Sequence, residues 1–156
     1  MNWHLKSWGR GDSLPILEEN EEKKRYLKGY IYCKRREVQL AQQINELRNQ
    51  KMFPSVNSDG MPQGNAHSDL SGYVARLDAL VSQLEHEQEL AVKQYQEIHD
   101  QIHKMQDGAE KEVLERRYLM GESWEKIAVA MNYTYRHVTR LHGTALQNFR
   151  LPERMS

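Results

Sequence analysis

A single cysteine, Cys33, occurs in the chain, which excludes an internal disulfide framework and a zinc cluster held by thiolates. Aromatic residues make up only 8% and hydrophobic residues 38% of the 156 positions. That composition suits one or two domains without a large globular core. No stretch approaches the roughly 18 consecutive apolar residues of a membrane-spanning helix, and the N-terminus lacks the apolar region of a secretory signal. The cytoplasm is the expected location. No glycine-rich nucleotide fingerprint, paired-carboxylate spacing or nucleophile elbow is present, so nothing in the sequence supports an enzyme, and neither a cofactor nor a metal is expected. His99 and His103 stand at i, i+4, a spacing that can share a metal. They lie beside the helix seam described below with no third ligand placed by any motif, and read as a solvated flank.

Charge is balanced over the whole chain, with 22 basic and 22 acidic residues, but it is unevenly spread. Residues 1–51 are net basic, the middle is net acidic, and no acid at all occurs from Lys126 to Pro152. Such asymmetry says more about partners than the zero sum does.

Residues 1–15, marked by Trp3, Trp8, Gly9 and Gly11, read as a flexible arm. The Arg10-Gly11-Asp12 tripeptide within it spells an integrin-binding sequence and, in a chain without a secretion signal, is read as coincidence. Ser13, Pro15 and the acids Glu18, Glu19, Glu21 and Glu22 form a helix start. The helix is expected to run to about Lys51, with Leu27, Tyr30, Ile31, Val38, Leu40, Ala41, Ile44 and Leu47 in steps of three and four. Residues 54–69 carry two prolines and two glycines without periodicity, which makes them a loop; no lysine follows those glycines, so it is not a phosphate loop.

Beyond the loop, Leu70, Val74, Leu77, Val81, Leu84, Gln88, Ala91, Tyr95, Ile98, Ile102 and Met105 alternate in steps of four and three. This is a heptad pattern, broken only by Gln88. A helix from Asp69 to Gln106 would extend roughly 55 Å at 1.5 Å per residue. A stripe of that length has to be covered. The expected arrangement over residues 16–106 is a helical hairpin or coiled coil with part of the seam left for a second copy, a homodimer through Leu70, Val74, Leu77, Val81 and Leu84. A buried Gln88 would set register.

Residues 107–151 read as three short helices, followed by a tail at 152–156. The first runs from about Ala109 to Met120 and stops at Gly121, a residue able to take positive φ. Ser123 is an N-cap for the second, whose Trp124, Ile127, Ala128 and Met131 share one face. Asn132-Tyr133 makes a turn, and Thr134 caps the third, which extends to about Phe149. With Val138 at the centre of its buried side, Leu141, Ala145, Leu146 and Phe149 fall within about a quarter-turn. Arg136, Arg140, Gly143 and Gln147 point away, flanked by His137 and Thr144 on one edge and Thr139 on the other. Two short helices about a tight turn, the second basic, is the helix-turn-helix pattern. Arginine reads guanine and glutamine reads adenine in a major groove, and DNA repels carboxylates, so this helix suits duplex DNA.

The stretches Glu112–Tyr118, Gly121–Ala128 and Thr134–Leu146 resemble region four of sigma-70-type factors. The strongest signatures are Tyr118 with Gly121, Ser123-Trp124-Glu125, Met131-Asn132-Tyr133, Arg136-His137-Val138 and Arg140-Leu141-His142-Gly143. The chain is similar to small phage and prophage proteins with such a C-terminus and to late-transcription regulators of the ArpU and RinA type. The resemblance implies an all-α fold, a bacterial host cytoplasm and a transcription regulator, with bacterial RNA polymerase as a further partner. By position it implicates Tyr135, Arg136, His137, Thr139 and Arg140 in base reading. Tyr135 and Thr139 stand where sigma factors carry arginine, so their promoter preference does not carry over. With Gly143, Thr144 and Gln147 from the outward face and Lys126 from the helix before, these form the expected DNA-binding set. The competing expectation is a coiled-coil adaptor whose last three helices bind polymerase or another protein.

Overall fold

A computed structural model describes residues 13–52 and 66–153. Over these the chain is all-α. Helix α1 spans Ser13–Leu27, α2 Gly29–Met52, α3 Ala66–His103, α4 Ala109–Leu114, α5 Trp124–Ala130 and α6 Tyr135–Asn148, with one π-helical turn, Glu115–Leu119, after α4. No strand occurs among the described residues. Most of the expected arm, the expected 54–69 loop up to residue 65, and the tail beyond residue 153 lie outside the described residues. The single helix expected from Ser13 to Lys51 is two helices separated at Lys28, whose amide still donates to the Lys24 carbonyl at 3.0 Å. No described helix is long and apolar enough to cross a membrane.

The chain divides into two compact units, one taking Met1–Gly29 with Gln96–Ser156, the other Tyr30–Tyr95. The sequence placed a boundary at 106–107. The first unit reaches further because α1 packs on α6. There Leu27 is fully buried and Lys23 nearly so, and the Tyr26 ring lies 6.1 Å from that of Phe149.

In this first unit the apolar faces of the short helices meet as their spacing requires. Val113, Ile127, Ala128 and Val138 form a buried cluster, with Trp124, Met131 and Leu141 packed against it. Ala145 and Leu146 of α6 and Phe149 just beyond it are buried as well, as are Ile98 and Ile102 at the end of α3. Trp124, placed by the helical period on the shared face of the second helix, is only half-buried: the Arg117 guanidinium lies 4.5 Å over its ring. Asn148 Nδ2 donates to Glu110 at 2.7 Å and fastens the end of α6 to α4.

The helix expected to run unbroken to Met120 is α-helical only to Leu114. The Met120 amide reaches back to the Glu115 carbonyl at 3.1 Å, and the Glu122 amide to that of Arg116 at 3.0 Å. Gly121 closes this end at φ 69°, the left-handed conformation that glycine adopts without a Cβ clash.

Within the second unit, Cys33, Leu40 and Ile44 of α2 and Glu87 and Ala91 of α3 are buried. Tyr30 meets Tyr95 edge-on at 5.3 Å, and Arg36 Nε pairs with Glu87 at 2.7 Å. The buried polar position expected at Gln88 belongs to its neighbour: Gln88 is exposed, while Glu87 turns inward and its carboxylate is matched by Arg36. The heptad stripe is covered unevenly. Leu77, Val81 and Leu84 are half-buried, whereas Leu70 and Val74 remain 48% and 45% exposed. Burial, with Glu87 and Glu37 nearby, pushes the Cys33 thiol up, so it is not a ready nucleophile.

Candidate nucleic-acid interface

Local chemistry fixes the entry into α6. Asn132 takes φ 56°, turning the chain after α5, and Asn tolerates this conformation better than most residues. The Thr134 side chain then accepts from the His137 amide at 3.3 Å, and Ser123 accepts from the Lys126 amide at 3.4 Å at the start of α5. Both caps stand where the sequence put them. Each satisfies one of the donors a helix leaves open in its first turn.

The outward side of α6 carries Arg136, Arg140, Thr144 and Gln147, all exposed, with Tyr135 51% exposed at its first position. A Cβ at Gly143 would meet nothing within 4 Å, so that stretch of helix is open to approach. Thr139 and His137 are half-buried at the edges. The Thr139 hydroxyl donates to the Arg136 carbonyl at 3.0 Å and that of Thr144 to the Arg140 carbonyl at 3.3 Å. Both threonines therefore spend their donor on their own helix. Lys126, on α5, is exposed. Arg136, Arg140 and Lys126 form no ion pair among the described residues. Arg116 is the contrast, tied to Glu112 at 2.8 Å and Glu122 at 3.4 Å.

Two side chains of the expected set are brought into direct contact. Arg140 Nη2 lies 3.1 Å from His137 Nδ1, and the His137 ring stands edge-on to Tyr133 at 4.6 Å. Tyr133 was read from sequence as a turn residue and as part of the Met131-Asn132-Tyr133 resemblance, without a place in the DNA-binding set.

His142 belongs to the other side. It is buried, its Nε2 2.9 Å from the Tyr118 hydroxyl and its ring edge-on to Trp124 at 4.8 Å. Burial first, then the charges of Lys24, Arg117 and Lys28, lower its pKa to about 4. It is neutral at pH 7, and α6 carries no buried charge on its core side there.

His99 and His103 stack ring on ring at 4.0 Å, and His103 Nδ1 lies 3.7 Å from Glu115. Among the described residues no three His, Cys, Asp or Glu side chains gather closely enough to hold a metal. Compared with known proteins, the chain matches no family model, no curated protein and no solved structure.

Proposed function

We propose that the protein binds double-stranded DNA in a sequence-specific manner, with α5, the Asn132 turn and α6 acting as a helix-turn-helix of the sigma-region-four kind and α6 entering the major groove. The observation that carries this reading is the outward face of α6. Two exposed arginines without carboxylate partners among the described residues stand one helical turn apart in a 27-residue stretch, 126–152, free of acids. Guanidinium groups left unneutralised by those residues are available to phosphates and guanine edges. In this reading Tyr135, Arg136, His137, Thr139, Arg140, Gly143, Thr144 and Gln147 face the groove and Lys126 meets a phosphate. The protein then serves as a transcription regulator of phage or prophage type. Helices α2 and α3 form a helical hairpin, and the exposed Leu70 and Val74 serve self-association.

The test is selection of duplexes from a random pool, followed by titration across salt. A duplex-binding module loses affinity steeply as salt rises, with a slope of about −0.9 per neutralised phosphate. Binding that is flat in salt, or no enrichment of any sequence, sinks the proposal. A second reading, a helical adaptor that binds polymerase or another protein, is favoured by the apolar side chains α5 and its approach leave in water: Val129 is 83% and Met120 64% exposed. A salt-insensitive complex abolished by Val129→Asp supports that reading instead.

A further inference from the structure

We infer that Tyr133 and His137 form a brace that holds the Arg140 guanidinium ready to read a guanine in the major groove, with His137 as a positioning residue. The inference rests on the DNA-binding reading above and assigns its site a base.

Arginine carries only donors and keeps its proton in any folded protein. The 3.1 Å contact between Arg140 Nη2 and His137 Nδ1 therefore requires Nδ1 to be the acceptor. The imidazole is then the neutral tautomer with its proton on Nε2. Two things keep that ring in place. Its own backbone amide is held by the Thr134 cap at 3.3 Å, and the ring packs edge-on with that of Tyr133 at 4.6 Å with 62° between planes. Tyr133 in turn follows the positive-φ Asn132 and its amide donates to the Ala128 carbonyl at 2.9 Å. A chain of contacts thus runs from the turn to the tip of an exposed arginine.

An exposed arginine ordinarily samples many rotamers, and ordering it at an interface costs affinity. A guanidinium already held by one nitrogen keeps its remaining N–H groups in a fixed plane. Guanine offers two acceptors, O6 and N7, side by side in the plane of the base. A planar fork held in advance matches this edge. Arg136, one turn earlier on the same face, has no such contact among the described residues, and is assigned to the backbone or to a less demanding base contact.

The experiment uses the full chain and a selected duplex in which each guanine is replaced in turn by 7-deazaguanine, which lacks N7 but still pairs with cytosine. For wild-type protein, one substitution weakens binding on the order of tenfold. Arg140→Ala does not feel that substitution. His137→Ala binds the natural duplex about three- to tenfold more weakly, and its 7-deazaguanine penalty shrinks to about twofold at unchanged helix content by circular dichroism. His137→Gln, which restores an oxygen acceptor, recovers most of both. If His137→Ala keeps wild-type affinity and the full penalty, there is no brace. If no guanine position matters to wild type while Arg140→Ala weakens every sequence alike, Arg140 holds a phosphate, and the assignment to guanine is overturned with DNA binding intact. A wild-type chain that binds no duplex overturns both readings.

Discussion

The Lys23 ammonium donates to the Leu146 carbonyl at 2.9 Å, joining positions 123 residues apart. Leu146 lies in the last turn of α6, whose closing carbonyls have no partner within the helix; the Ala145 carbonyl takes the Phe149 amide at 2.8 Å. Lys23 thus serves the end of α6 as basic side chains do at helix C-termini, and the Glu19 carboxylate at 2.7 Å offsets its charge. This contact, with the Tyr26–Phe149 ring pair, is why α1 belongs with the C-terminal helices. Lys23→Met keeps the alkyl stem and removes the donor, and is expected to cost about 1–3 kcal/mol in denaturant unfolding. Faster amide exchange at 147–149 should accompany it. An unchanged midpoint means the contact contributes nothing.

His142 makes stability depend on pH. Its pKa is lowered from 6.5 to about 4 in the folded chain, first by burial. The unfolded chain then binds more protons than the folded one between these values, so stability rises with pH across that window. The contribution is complete above about pH 6.5 and is lost as pH falls toward 4. By pH 5 the loss from this group is about 2 kcal/mol. His142→Gln retains a side chain able to bond to the Tyr118 hydroxyl and has nothing to titrate. Urea midpoints at pH 7, 6 and 5 should fall for wild type and stay much flatter for the variant. Parallel slopes for the two proteins rule His142 out as the cause.

Features set by neighbours along the chain were legible in the sequence. The Ser123 and Thr134 caps, the positive-φ stop at Gly121, the turn at Asn132-Tyr133, and the Val138–Phe149 face each depend on a few adjacent residues and a fixed helical period. What stayed hidden depends on partners distant in sequence. Periodicity ranks Gln88 as the polar intruder of the seam because it counts positions; the fold buries Glu87 because Arg36 stands opposite. Nothing in the pattern around Lys23 says that its amine ends on a carbonyl of α6. His142 sits one helical turn after Val138, so its burial could be suspected from the wheel. Its bond to Tyr118 could not, since the π turn that follows Leu114 shifts that ring by a residue. For the candidate interface, the outward placement of Arg136, Arg140 and Gln147 was readable from the helical period. The contact between Arg140 and His137 is a matter of rotamers, which hydropathy does not carry.

Self-association can be separated from folding because the α3 stripe is covered unevenly. Leu84 is half-buried, so Leu84→Asp puts a charge among apolar neighbours and should unfold the second unit along with any dimer. Leu70 and Val74 are about half exposed. The pair Leu70→Asp and Val74→Asp should leave helix content and melting nearly unchanged, as surface substitutions do within about 0.5 kcal/mol. In sedimentation the double variant should run as a monomer under conditions where wild type runs as a dimer. A wild-type protein that stays monomeric at the highest soluble concentration removes the dimer.

Gly143 gives the sharpest test of which face of α6 is used. Glycine inside a helix costs roughly 0.5–1 kcal/mol relative to alanine, and here no crowding explains it, since an added Cβ meets nothing within 4 Å. Gly143→Ala is therefore expected to stabilise the free protein by about that amount. Were stability the only consideration, alanine or leucine would serve better at this position. The missing side chain has a use if the helix must lie close to a groove wall, with Arg136 and Arg140 ahead of it reaching toward the bases. Gly143→Leu should then raise the melting temperature while weakening duplex binding at least tenfold, because the branched side chain holds α6 away from the groove. Gly143→Ala should weaken it less, in proportion to its smaller bulk. Melting curves and titrations against selected and scrambled duplexes read both effects on the same samples. If Gly143→Leu is more stable and binds as wild type does, α6 does not enter the groove by this face, and the assignment of Arg140 and Gln147 to base reading falls with it.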